Sequence, residues 1–377
     1  AEPAPQAAAT PAVPAIPAPS TLPAATAVAT PPPGAKATEL PNSLQAAGTP
    51  VPSSEISGMS RDFTGGSMTY TFQLKTDCTI ALHPPYTLEM LKTDLERWGV
   101  SPHLHYQRLG ASHGGKSFFV VEAARHRNKG INPALPFVVL LAREHGNEPA
   151  VNWVVRGLID RLLANDGHTT LDRLRLVLFP FVNQDGATQG MTVDPYTGLD
   201  VGNDFGRAGT RPPGSPGGSG EGLAGGGLTS APATVGGGEI AGGVEFKLPE
   251  TRLLYKFVAE QIRAGRHCLG AISLHQPHGG QENIWPVYYL GPGRNCLDRS
   301  LTGFQQALHR HTRRFTHAIP DFWPIRVSVG RFDHDFGIPG VTLEINPHCA
   351  RHPLSVPDLL ALGADLADTL GDWAGPA

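Results

Sequence analysis

The 377-residue chain is 40% hydrophobic and 17% charged, enough for one large domain or two small ones. Its formal net charge of −3 leaves no basic footprint for nucleic acid or acidic membranes. No apolar run approaches the length of a membrane span, so the sequence reads as a soluble chain.

Residues 1–57 are dominated by Ala, Pro, Thr and Ser, and no aromatic appears before Phe63. Such a segment cannot bury enough apolar surface to offset its ordering entropy, and it reads as a disordered, extended tether. The opening Ala1-Glu-Pro-Ala-Pro-Gln, with no initiator Met, fits a mature chain after signal-peptide removal, or a trimmed one. The expectation is a periplasmic or secreted protein with a globular part over residues 58–377. Cys78, Cys268, Cys296 and Cys349 lack C-x-x-C spacing, which excludes a cysteine-ligated zinc site and leaves disulfides or buried thiols open.

Further along, Lys116–Glu122 reads as a strand. Phe137–Leu141 is a short apolar run, as expected of a strand buried on both faces. A helix should follow, with Pro149 in its first turn and Val151, Val154, Val155, Leu158, Ile159, Leu162 and Leu163 on one face. Leu174–Val182 is again strand-like, and Ala208–Gly243 is a Gly-rich surface loop. Pro249-Glu-Thr opens a second helix carrying Leu253, Leu254, Phe257, Val258 and Ile262. Leu269–Leu274 and Val341–Ile345 are further strands. This alternation predicts an α/β fold, a mixed and mostly parallel sheet covered by helices. Catalytic groups should then gather at the carboxyl ends of the strands.

They do gather there in sequence. His145-Gly-Asn-Glu148 follows the strand ending at Leu141, and His275 ends another strand. Two neutral imidazoles and one carboxylate suit a zinc ion with an open coordination position. Asn183-Gln-Asp185-Gly186, Pro249-Glu-Thr-Arg252 and a late Thr342-Leu-Glu344 stand in order around them. In this set and order the chain resembles the zinc metallocarboxypeptidases of the carboxypeptidase A type, in their bacterial branch, from about Pro85 onward. The resemblance implies one zinc per chain held by His145, Glu148 and His275. It implies Glu344 as the general base toward the attacking water, and Asp200 as the carboxylate that orients His145.

Two departures limit what carries over. Where the family has D-L-N-R-x-F, the chain reads Asp200-Val-Gly202-Asn203-Asp204-Phe205, so Asn203 stands where an arginine would hold a substrate carboxylate. Arg207 and Arg331 are the candidates to replace it. No Tyr lies between Tyr289 and Glu344, so the family's mobile tyrosine has no match.

The expected activity is hydrolysis of a peptide or amide bond, on peptides or muropeptides. An amidase, deacylase or endopeptidase on the same fold, or an inactive envelope-binding module, are the alternatives. Gly110-Ala-Ser112-His-Gly114 also spells the serine-hydrolase elbow, but a strand rather than a helix follows it, which argues against that mechanism. Nothing in the sequence fixes the oligomeric state.

Overall fold

A computed structural model describes residues 56–64, 67–74, 83–127, 130–131, 134–206, 246–277, 282–289, 299–323, 328–349 and 352–375. Most of the expected tether and the whole Gly-rich loop 208–243 lie outside the described residues. The chain divides into two units, one ending at Leu82 and the other beginning at His83. In the first, β1 (Ile56–Thr64) and β2 (Ser67–Leu74) pair antiparallel, with Thr64 opposite Ser67. Gly65-Gly66 between them is a two-residue hairpin signal. The boundary expected at Gly58 therefore falls inside a strand.

The second unit contains α1 (Leu88–Trp98), β3 (Leu104–Ala111), β4 (Ser117–Ala123), β5 (His126–Arg127), β6 (Gly130–Ile131), β7 (Phe137–Ala142) and α2 (Ala150–Leu163). It continues through α3 (Thr170–Arg173), β8 (Arg175–Phe179), α4 (Gln184–Gln189), α5 (Pro249–Arg263), β9 (Cys268–His275) and β10 (Ile284–Tyr289). Last come α6 (Arg299–His311), β11 (Asp321–Trp323), α7 (Ser328–Phe336), β12 (Gly340–Ile345) and α8 (Val356–Trp373).

Eight strands form one mixed sheet in the order β11-β10-β12-β9-β7-β8-β4-β3. Its central strands β12, β9, β7 and β8 run parallel, and β10, β4 and β3 pair antiparallel with their inner neighbours. The sheet is covered on both faces, and the pleat shows how. Val138, Leu140 and Ala142 of β7 join a cluster with α1, α2, α6 and α8. The alternate residues Phe137, Val139 and Leu141 join α5 and α7 in a second cluster. A period of two thus splits a continuous apolar run between two cores, which is why the run carries no polar residue.

The expected α2 stripe is buried from Val151 to Leu162, and α5 starts on Pro249 as its sequence predicts. One expected strand is shorter than read. β8 stops at Phe179, because Pro180 has no backbone N–H to continue a ladder. The charged stretch around Asp333 and Asp335 lies on the helix α7.

Candidate active site

β7 and β9 are adjacent parallel strands, with Ala142 level with Leu274. Their carboxyl ends therefore emerge side by side, and each delivers ligands. After β7 the chain makes a left-handed turn at Arg143 (φ 65°), a conformation that non-glycine residues seldom adopt. The turn is held by its own side chain. Arg143 Nε donates to Gly146 O at 2.8 Å, and Nη1 donates to Asn152 Oδ1 at 2.7 Å and to Tyr86 O at 3.3 Å. Burial lowers the Arg143 pKa to about 9, against the opposing pull of Glu148. The same loop presses on the Asn183-Gln-Asp-Gly motif. A Cβ on Gly146 would stand 2.1 Å from the Gly186 carbonyl carbon, so only glycine fits there. Asn183 in turn caps α4 by accepting from Gly186 N at 2.8 Å. These contacts explain why two motifs far apart in sequence act as one support.

His145, Glu148 and His275 converge with their ligand atoms all within 4.8 Å of one another. His145 Nδ1 lies 3.3 Å from His275 Nδ1, which lies 3.4 Å from Glu148 Oε2. Zinc bonds of about 2.0–2.1 Å in a tetrahedron give ligand separations of about 3.3 Å, so these spacings suit that ion. Glu148 Oε2 is buried without a hydrogen-bond partner, which a bound cation would relieve. The donor set and its geometry fit zinc.

Each imidazole turns Nδ1 inward and Nε2 toward a carboxylate. His145 Nε2 is 3.5 Å from Asp200 Oδ1, the residue expected to orient it. Asp200 also accepts from Gly202 N at 2.9 Å and from Asn203 Nδ2 at 2.7 Å. Asn203 is thus committed to Asp200. His275 Nε2 is 3.1 Å from Glu144 Oε2, a partner the sequence reading did not find.

Glu344 is half-buried on β12, its Cα level with that of His275 on β9. Residues so paired on adjacent strands point to one side of the sheet, which places Glu344 beside the ligands and not among them. Burial raises its pKa, partly offset by His275.

The remaining candidates are placed as follows. Arg331 lies on α7, where its Nε donates to Asp335 Oδ2 at 2.6 Å, an oxygen that also accepts from Tyr255 OH at 2.6 Å. Arg207 lies outside the described residues. His348 meets His83 rather than the ligands, with ring centroids 4.5 Å apart. Ser112 sits in the turn between antiparallel β3 and β4, its hydroxyl accepting from Lys116 N at 3.0 Å. No strand-turn-helix elbow exists there, so a serine mechanism is excluded.

Protons occupy the site when metal does not. Burial alone would lower the His145 pKa, but hydrogen bonds to Asp200 and Glu148 outweigh it and raise it to about 9. Glu148 moves the other way, to about 2, because both histidines outweigh its burial. Zinc needs a neutral imidazole, so it must displace a proton at any pH below about 9. The apparent zinc affinity should therefore strengthen about tenfold per pH unit per proton between pH 6 and pH 9. Chelator competition across that range checks this. A flat profile would show that the imidazoles are already neutral.

Residues 100–213 match the family profile described as zinc carboxypeptidase. Solved structures of similar fold include a metallo-carboxypeptidase from Burkholderia cenocepacia, at TM-score 0.60 and 15% identity over 82% of this chain and 75% of that one. Another is a metallo-carboxypeptidase from Pseudomonas aeruginosa, at TM-score 0.57 and 18% identity over 83% of this chain and 76% of that one. Among curated proteins, cytosolic carboxypeptidase 1 of Danio rerio is 27% identical over 148 residues. That match covers 36% of this chain and 13% of the relative's length. Residues 100–213 are thus similar to the zinc carboxypeptidase profile, and the fold is like that of the solved metallo-carboxypeptidases.

Proposed function

We propose that this chain is a zinc-dependent hydrolase of peptide bonds, with His145, Glu148 and His275 holding the metal and Glu344 as the catalytic base. The observation that carries the proposal is the convergence of His145, Glu148 and His275, their ligand atoms all within 4.8 Å of one another, with a separate carboxylate in register beside them. Bound there, zinc supplies Lewis acidity toward water and the scissile carbonyl. The protein's own part is proton traffic. Glu344 takes a proton from the attacking water and returns it to the leaving amine, and its burial-raised pKa suits both transfers. Asp200 keeps His145 turned so that Nδ1 faces the metal position.

Specificity is a narrower proposal. A buried substrate carboxylate requires a paired cation. Asn203 is tied to Asp200, and Arg331 is paired with Asp335. Recognition of a free C-terminus then falls to Arg207, or to Arg331 if it exchanges partners. These commitments favour a second reading, in which the enzyme cuts an amide whose substrate offers no carboxylate there. The Ala/Pro-rich segment 1–57 supports an exported enzyme with peptides or muropeptides as substrates.

The test incubates zinc-loaded protein with matched free-acid and amidated peptides and with muropeptides, and identifies products by mass. A carboxypeptidase releases single C-terminal residues from free acids only. In that case Arg207→Ala or Arg331→Ala should weaken cleavage of free acids by about 2–4 kcal/mol. Equal turnover of both peptide forms would retire the carboxypeptidase assignment in favour of the amidase or endopeptidase reading. No turnover of any substrate by protein carrying zinc would retire the enzyme.

A further inference from the structure

Glu144 stands immediately before the first ligand and is fully buried, yet it has no place in the chemistry above. The left-handed turn at Arg143 sends its side chain across to β9. There Oε2 accepts a short hydrogen bond from Ser273 Oγ and lies 3.1 Å from His275 Nε2. Ser273 and His275 are two residues apart on β9 and so share one face of the sheet. One carboxylate oxygen is therefore gripped by a strand residue and by the ligand two positions on. The other oxygen, Oε1, has no hydrogen-bond partner among the described residues.

Burying an ionised carboxylate is costly unless it is paired. Among the described contacts, Glu144 spends its hydrogen bonds on Ser273 and on the imidazole. What this arrangement does for His275 follows from the tautomer. With Nε2–H donated to Glu144, the proton is off Nδ1, and Nδ1 is the atom facing His145 and Glu148. Asp200 does the same for His145 from the opposite side.

Resting on the zinc reading, we infer that Glu144 is a positioning residue for the metal site: it locks His275 in the tautomer and orientation that presents Nδ1 to the metal. Ser273 is its anchor. The site thus has a carboxylate behind each histidine, one from the loop after β7 and one from the segment at Asp200.

The experiment measures the zinc dissociation constant by chelator competition, and the visible absorption of the protein loaded with Co(II). It compares the full chain with Glu144→Ala, Glu144→Gln and Ser273→Ala. Glu144→Ala should weaken zinc binding by about 10- to 100-fold and shift the Co(II) bands. Glu144→Gln keeps an oxygen that can accept from Nε2–H and should recover part of both. Ser273→Ala should change both in the same direction by a smaller factor. A purely structural role would lower the melting temperature of the metal-free protein and leave the Co(II) spectrum as it was. Should Glu144→Ala not fold, the other two variants carry the test. Wild-type affinity and Co(II) bands in the folded variants would overturn the assignment of Glu144. A wild-type chain that binds no zinc would overturn the zinc reading itself, and this inference with it.

Discussion

Glu344→Gln is expected to keep its zinc and lose turnover. The substitution preserves shape and removes the group that accepts a proton. General-base catalysis of this kind contributes about 10²- to 10⁴-fold, equivalent to about 3–5 kcal/mol of barrier. The metal should stay because Glu344 stands on β12 beside the ligands, whereas the converging set comes from the loop after β7 and the end of β9. His145→Ala and His275→Ala should instead lose metal and activity together. Metal content and kcat, measured on the same preparations, separate the two classes. A fully active Glu344→Gln protein would remove Glu344 from the mechanism and leave the ligand set standing.

The three converging residues were legible because local chemistry marks them. H-x-x-E follows an apolar run, His275 ends another, and Glu344 closes a third, so each lies at a strand end where α/β folds place their sites. The fold class was legible for a related reason. Continuous apolar runs such as Phe137–Leu141 are what a sheet covered on both faces requires, and the two cores confirm it. The Thr342-Leu-Glu344 pattern needed more than local reading, because only the parallel register of β12 with β9 brings Glu344 beside His275.

What escaped notice depends on neighbours distant in sequence. Glu144 looks like one charge among three in Arg143-Glu-His145. Its role appears only when sheet order sets β7 beside β9 and brings Ser273 and His275 within reach. Arg331 also depends on a neighbour that a local reading does not pair with it. A lone arginine near a presumed pocket reads as a substrate anchor, but the i, i+4 geometry of α7 pairs it with Asp335. Val329 and Phe332 supply the buried face of this short helix. α8 did announce itself, with Ser355 and Asp358 forming a capping box around Pro357.

The remaining large effect lies beside the site, in three fully buried carboxylates whose ligand atoms also lie within 4.8 Å of one another: Asp185, Asp194 and Glu250. Two of them are well served. Asp185 accepts from Lys116 Nζ at 2.9 Å and from Gly114 N at 2.6 Å. Asp194 Oδ1 accepts from the Thr197 hydroxyl at 2.7 Å and from Thr197 N at 2.8 Å. Neither oxygen of the Glu250 side chain has a hydrogen-bond partner among the described residues. A third negative charge there would be uncompensated, so Glu250 keeps its proton. Burial, reinforced by the charges of Asp194 and Asp185, raises its pKa to about 8. The sign of the consequence follows from linkage. Between the ordinary value of 4.5 and about 8, the folded chain holds a proton that the unfolded chain has released. The contribution to stability is therefore complete below about pH 4.5 and is lost as pH rises through about 8. At about 1.36 kcal/mol per unit the loss amounts to up to about 5 kcal/mol by pH 9. Glu250→Gln carries no titrating group, so its unfolding free energy should fall less between pH 5 and pH 9 and should exceed that of the wild type at the alkaline end. Urea melts of both proteins at several pH values across that range decide the matter. Parallel curves would mean that Glu250 is ionised in the folded chain and that some group beyond the described residues compensates its charge.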